Sequence, residues 1–171
     1  MPTSDPTAPM NKLSSGSVTI QAVRWRDGQF LRQVRNHPQV MLIAGNRPVG
    51  WVEHWWWFVR LRLLWSDHAW IGSVNGERAG YIRVLIGLNC WVISLAILPC
   101  WWRYGIGLKM LRWVETDRDL TDRQITLWAE VEYENVPSRR LFERAGFVIA
   151  LPVVLPEELV GKSHTLWYKK D

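Results

Sequence analysis

The segment RYGIG, Arg103 to Gly107, sets two glycines around one isoleucine where an apolar run, WVISLAILP, gives way to an amphipathic one, GLKMLRWV. A helix starting at Gly105 leaves its first N–H groups without carbonyl partners, and those donors, with the positive end of the helix dipole, form an anion site. Glycines at 105 and 107 let an anion approach the backbone, and Arg103 adds a formal charge at the same mouth. Neither familiar nucleotide loop is present: there is no GxGxxG, and no Gly-Lys-Ser/Thr follows. A second helix start lies in ENVPSRRLFERAGF, where Asn135 can cap, Ser138 stands three residues on to complete a reciprocal cap, and Gly146 permits a left-handed ending.

Other chemistries find less support. Cys90 and Cys100 are the two cysteines, and across an extended stretch they lie about 33 Å apart, beyond disulfide reach. Four scattered histidines with no CxxC or HxxxH spacing give no reason to expect a metal. The formal charge of +5 permits attraction to phosphates of a nucleic acid, a membrane surface or a small anionic ligand, but the basic residues are scattered and form no block.

The elements that must position these residues alternate along the chain. Ser17 to Val23 reads as a strand, and Asp27 to Arg35 as a short helix capped by Asp27. From Gly50 to Leu64, Val52, Trp55, Trp56, Val59 and Leu63 recur at helical spacing, which predicts an amphipathic helix with that stripe as its apolar face. Trp55, Trp56 and Trp57 cannot all face one core, so at least one is expected at the surface or in a pocket. Ala69 to Val74 and Ala79 to Ile86, joined at Asn75-Gly76, form a hairpin. Trp91 to Leu98 adds a strand, and Gly105 to about Asp117 a helix facing inward through Ile106, Met110, Trp113 and Val114. Gln124 to Glu132 is a strand, Asn135 to Ala145 a helix, and Phe147 to Ala150 and His164 to Lys169 are closing strands, with residues 151–163 as the connection.

Length suits one core: 171 residues, 48% hydrophobic and 22% charged, describe a soluble globular domain over 18–171. Residues 1–17, polar and rich in Pro, Ser and Thr, are expected to be a flexible tail. Without the apolar core of a signal peptide they imply a cytoplasmic protein. The uncharged run Val84 to Trp102 has the length of a membrane helix. Its interior argues for a hairpin instead, since Gly87 to Cys90 reads as a turn between two β-branched runs and Pro99 stops the second.

Taken in order, these pieces resemble the GNAT superfamily of acyl-CoA-dependent N-acetyltransferases. The matching parts are VISLAIL, Pro99, RYGIG in place of the family's Arg/Gln-x-x-Gly-x-Gly/Ala loop, GLKMLRWV, LWAEV, and N-x-x-S-x-x-L-F-x-x-x-G-F from Asn135 to Phe147. One departure stands out: the loop's usual Arg or Gln falls on Trp102, with Arg103 one place later. VRNHPQV and EHWWWF are similar to segments of a subgroup acting on amino-sugar nucleotides of bacterial pseudaminic-type pathways, with ribosomal-protein N-acetyltransferases in a neighbouring branch.

The resemblance implies an α+β fold: a mostly antiparallel sheet of six to seven strands, splayed in the middle and flanked by about four helices. It implies acetyl-CoA as co-substrate, with backbone groups of Ile97 and Leu98 pairing with the pantetheine amides. The pyrophosphate would sit on Arg103, Tyr104, Gly105, Ile106 and Gly107, with Asn135, Ser138 and Phe142 along the pantetheine arm. An amine would attack the thioester directly. Phe142 stands where many members have a tyrosine acid, so Tyr133, Tyr104 and His54 are the candidate replacements and Glu130 the candidate base. Arg35, Asn36 and Trp57 are the expected acceptor contacts. The expected acceptor is a primary amine on a nucleotide sugar, with a ribosomal-protein or N-terminal amine as the alternative. No metal, no nucleic acid and no membrane span are expected, and a homodimer is left open. Two other classes, a Trp-rich nucleic-acid binder and a protein membrane-associated through residues 84–102, make different demands: a basic stripe for the first, one long apolar helix for the second.

Overall fold

The computed structural model describes residues 17–44, 47–63, 67–87, 91–116, 126–150 and 165–170. Its strands are β1 (Val18–Ala22), β2 (Asp67–Val74), β3 (Glu77–Ile86), β4 (Trp91–Ile97), β5 (Leu127–Glu132), β6 (Val148–Ile149) and β7 (Thr165–Lys170). Its helices are α1 (Gly28–Arg35), α2 (Pro38–Ile43), α3 (Trp51–Leu63), α4 (Ile106–Thr116) and α5 (Val136–Arg144). The sheet runs β1-β2-β3-β4-β5-β7-β6, and every neighbouring pair is antiparallel except β4 with β5. That parallel pair is in register only at Trp91 with Leu127 and Val92 with Trp128, after which the strands part. This is the α+β architecture the sequence implies, with seven strands and, among the described residues, five helices.

Strand alternation sorts the two faces. Ile82, Val84, Ile93, Ala129 and Val131 bury themselves against Ile106, Met110, Leu111 and Val114 of α4 and Phe142 of α5. Ala69, Ile71 and Tyr81 turn the other way, onto Phe30, Leu31 and Val34 of α1 and Phe58 and Leu61 of α3. The Asn75-Gly76 turn joins β2 to β3 with both residues at positive φ, 51° and 84°, as a two-residue hairpin requires. The apolar run from Val84 is a hairpin too, with Arg83 opposite Ser94 and Ile86 opposite Trp91. Among the described residues no helix is long and apolar enough to cross a membrane. The expected tail up to residue 16, the turn residues 88–90, residues 117–125 and the 151–163 connection lie outside the described residues.

Three local expectations are corrected. Asp27 occupies the cap position of α1, yet its carboxylate accepts from Arg24 N–H at 2.7 Å and pairs with Arg78 at 2.9 Å, because a 3-10 turn over Trp25–Asp27 precedes the helix. The cap on α5 is one-sided: Ser138 N–H donates to Asn135 Oδ1 at 3.1 Å, while the Asn135 N–H goes to the Glu132 carbonyl at 2.9 Å. That helix ends as expected, with Phe147 N–H on the Phe142 carbonyl and Gly146 N–H on the Glu143 carbonyl, both at 3.0 Å. The third concerns α3, whose buried side is His54, Phe58 and Leu61, while Val52, Trp55, Trp56 and Leu63 face solvent. Both sides of this helix are apolar, so spacing alone admits two faces, and a histidine marks the inner one.

His54 is the link between α3 and α1. Its Nε2–H donates to the carbonyl of Gly28 at 2.7 Å, and its ring stacks on Phe58 at 6.2 Å. Burial holds its pKa below the usual 6.5, and the nearby Arg35 and Arg32 push the same way, against the Gly28 hydrogen bond. A histidine neutral in the fold contributes stability above pH 6.5 that is lost as pH falls from there toward the depressed folded value. The melting temperature is therefore expected to drop between about pH 7 and pH 5, and His54→Gln to drop less steeply over the same range. Parallel slopes for the two proteins in thermal melts would contradict this.

Candidate active site

Where β4 leaves β5, a cavity of about 430 Å³ opens. Its floor is the α1-side face of the sheet: Tyr81 and Arg83 from β3, Val92, Ser94 and Ala96 from β4, and Glu130 and Glu132 from β5. Arg35, Val40, Ala44 and Trp57 close it from the helices, and Asn135, Ser138 and Phe142 of α5 reach it through the gap. Period-two alternation explains the floor, because Tyr81 and Arg83 alternate with the buried Ile82 and Val84, and Glu130 lies between Ala129 and Val131.

The cavity wall is charged and aromatic. Arg35 lies 5.5 Å and Arg83 5.4 Å from the Trp57 ring, so one indole carries two guanidinium groups. Tyr81 is buried, which raises its phenol above the usual 10 against the pull of Arg35 and Arg83. It stays protonated at neutral pH. Phe142 is buried against Phe147 and Tyr168, its ring centroid 5.2 Å and 6.1 Å from theirs.

The gap has a pairing edge. Leu98 N–H donates to the Ala79 carbonyl at 2.8 Å, which by strand alternation turns the peptide groups of residues 92, 94, 96 and 98 toward β3 and, beyond the last pairing with β5 at Val92, those of Leu95 and Ile97 toward the gap. Ile97 thus faces the gap as expected, but its carbonyl already accepts from the Trp102 indole N–H at 2.7 Å, and Leu98 faces away. Trp102 therefore serves the end of β4. That is its role in place of a basic side chain.

The turn beyond it is open. Tyr104 and Gly105 are exposed, and Arg103 and Gly105 both hold positive φ, 69° and 72°. The first bond into α4 is Lys109 N–H to the Gly105 carbonyl at 3.1 Å, so the N–H groups of Ile106, Gly107 and Leu108 have no partner within the helix. Ile106 itself is buried in the core. Gly107 has a different part from the one expected: a Cβ there would stand 3.0 Å from Leu141 Cδ2 and 3.2 Å from Leu95 Cδ2, so its bareness lets α4 close on α5 and β4. Gly105 faces open space, and its left-handed backbone is what suits glycine. A diphosphate fits this turn by charge and by donors, and a peptide-like arm fits the gap.

Of the residues singled out in the sequence, the cavity gathers Arg35, Trp57, Glu130, Asn135, Ser138 and Phe142. Its lining does not include Ile97, Leu98 or residues 103–107, and three further candidates also stay outside it. Asn36 spends both ends of its carboxamide on Val49, N–H and carbonyl, at 2.9 Å each. His54 is the α1–α3 link described above, and Tyr133 is exposed, stacked with Arg139 at 5.1 Å. Tyr81, Arg83 and Glu132 were missed, although a charged residue in the alternation of YIRV was a legible sign. Among the described residues no group of three or more His, Cys, Asp or Glu could hold a metal ion.

The chain matches the model of the acetyltransferase (GNAT) family over residues 24–147 and belongs to that family. It is an N-acetyltransferase that takes its acetyl group from acetyl-CoA. A search of curated proteins yields no match. Solved structures share the fold: an acetyltransferase from Thermus thermophilus (TM-score 0.73, 18% identity, 90% of this chain and 96% of that one); spermidine N-acetyltransferase from Vibrio cholerae, in complex with CoA and spermine (0.69, 14%, 89% and 92%); and Campylobacter jejuni N-acetyltransferase PseH, in complex with acetyl coenzyme A (0.61, 12%, 90% and 98%).

A side chain at position 105 would strain the turn and crowd its donors without entering the core. Gly105→Val is expected to lower acetyl-CoA affinity by roughly tenfold or more in calorimetry, with an unchanged circular dichroism spectrum. Full affinity in that variant would remove the turn from the site.

Proposed function

We propose that this enzyme acetylates the primary amine of an amino-sugar nucleotide. The observation that carries the reading is Trp57 with Arg35 and Arg83 at 5.5 Å and 5.4 Å, in one cavity with Glu130 and Glu132. Two guanidinium groups suit a diphosphate, and an indole face suits a base or sugar ring. Glu130 and Glu132 suit the ammonium of any amine acceptor, so the guanidinium pair is the feature that favours an acceptor carrying phosphate over a polyamine or a basic peptide. The likeness to the spermidine enzyme sets the alternative to be tested.

Glu130 takes the proton from the acceptor ammonium, directly or through water. The neutral amine attacks the thioester carbonyl carbon, the C–S bond breaks, and the sulfur departs with a proton. The residues that cradle both reactants supply much of the rate by orientation, so no covalent enzyme intermediate is needed. Tyr81 is protonated and lines the same cavity, which supports its phenol as the hydrogen-bond donor that Phe142 cannot be. Arg139, Tyr133 and Tyr104 are not part of the cavity wall.

Thiol release from acetyl-CoA, measured against 4-amino-sugar nucleotides, peptides and polyamines, tests the assignment. Turnover is expected with the nucleotide sugar. Glu130→Gln should lower kcat by about a hundredfold, and Arg35→Ala should raise the acceptor KM by roughly tenfold. Turnover with peptides or polyamines alone would replace the acceptor and leave the acetyl transfer in place.

A further inference from the structure

Among the described residues, the outer side of α3 is apolar apart from Arg62 and largely exposed. At about 100° per residue, Trp51, Trp55, Val59, Val52, Leu63 and Trp56 fall in an arc of roughly 140°, turned away from His54, Phe58 and Leu61. Trp51 and Trp56 are each 66% exposed. Trp51 stacks on Trp55 at 6.1 Å with planes 3° apart, and Trp55 meets Trp25, itself exposed on the turn before α1, at 6.5 Å. Single exposed apolar residues are ordinary, whereas a continuous patch of indoles marks a surface that meets something. Trp57, by contrast, belongs to the cavity, so the patch is separate from the acceptor site.

The rim identifies the partner by charge. Arg24, Arg26 and Arg60 are exposed around the patch, and Arg62 reaches across it, its guanidinium 5.8 Å from the Trp25 ring. The acids of the same elements are neutralised: Glu53 pairs with Arg47 at 3.3 Å, and Asp27 is buried on Arg78. A second copy of the chain would set this cationic rim against itself. An anionic lipid surface complements it, since indoles favour the headgroup level and arginines lay their stems along apolar surface with the charge at the phosphates. Thirteen residues span about 20 Å, enough to lie in the interface and too short to cross it.

We infer that α3 and Trp25 form a docking surface for an anionic bilayer, on which the enzyme rests without spanning it. The purified full chain is mixed with vesicles of phosphatidylglycerol and phosphatidylcholine, or of phosphatidylcholine alone, and followed by co-sedimentation and tryptophan emission. Binding to the anionic vesicles only, with a blue-shifted emission and weakening as salt is added, is the expected result. Trp51→Ser/Trp56→Ser should cut the affinity roughly tenfold while melting temperature and acetyl-CoA binding stay unchanged. Absence of vesicle binding, equal binding by the double variant, or a concentration-dependent dimer that the double variant abolishes would overturn the inference.

Discussion

Two parallel strands that pair for two residues and then separate set the terms for this molecule. Pairing of Trp91 with Leu127 and Val92 with Trp128 keeps the sheet continuous, and the parting beyond it leaves the peptide edge of β4 without a neighbouring strand among the described residues. A sheet normally spends such an edge on hydrogen bonds, so an internal opening of this kind must be held by what surrounds it. Here α4 and α5 clamp one face through Met110, Leu111, Val114 and Phe142, and α1 and α3 clamp the other through Leu31, Val34 and Phe58.

Small features keep the opening usable. Trp102 fixes the end of β4 by its bond to Ile97, which directs the chain into the left-handed turn at Arg103 and Gly105. Gly107 lets α4 approach Leu95 and Leu141, so the donors at the helix start stay close to the gap. Asn135 caps α5 and lies in the cavity wall at once.

Much of this was legible from residue order. YIRVLI and WVISLAIL announce strands by β-branched residues, Asn75-Gly76 announces a hairpin, and AGF announces the end of α5. Helix α3 was legible as an element but not by face, because apolar residues surround it and only packing decides which side is buried. Site residues followed the same division. Glu130, Asn135 and Ser138 could be placed from a motif or a strand phase, whereas Arg83 and Tyr81 come to the site only when β3 pairs with β4 and α3 lies across both. Asn36 and His54 look chemical in sequence, yet in the fold each has a polar group tied to a backbone carbonyl from a distant segment.

Amide exchange resolved by residue, with and without acetyl-CoA, tests the open edge most directly. Ligand should newly protect the amides of Leu95 and Ile97 and those of residues 105–108. Residues 94, 96 and 98, already bonded toward β3, should change little. Protection that fails to alternate along β4, or that appears away from the gap and the turn, would contradict the account.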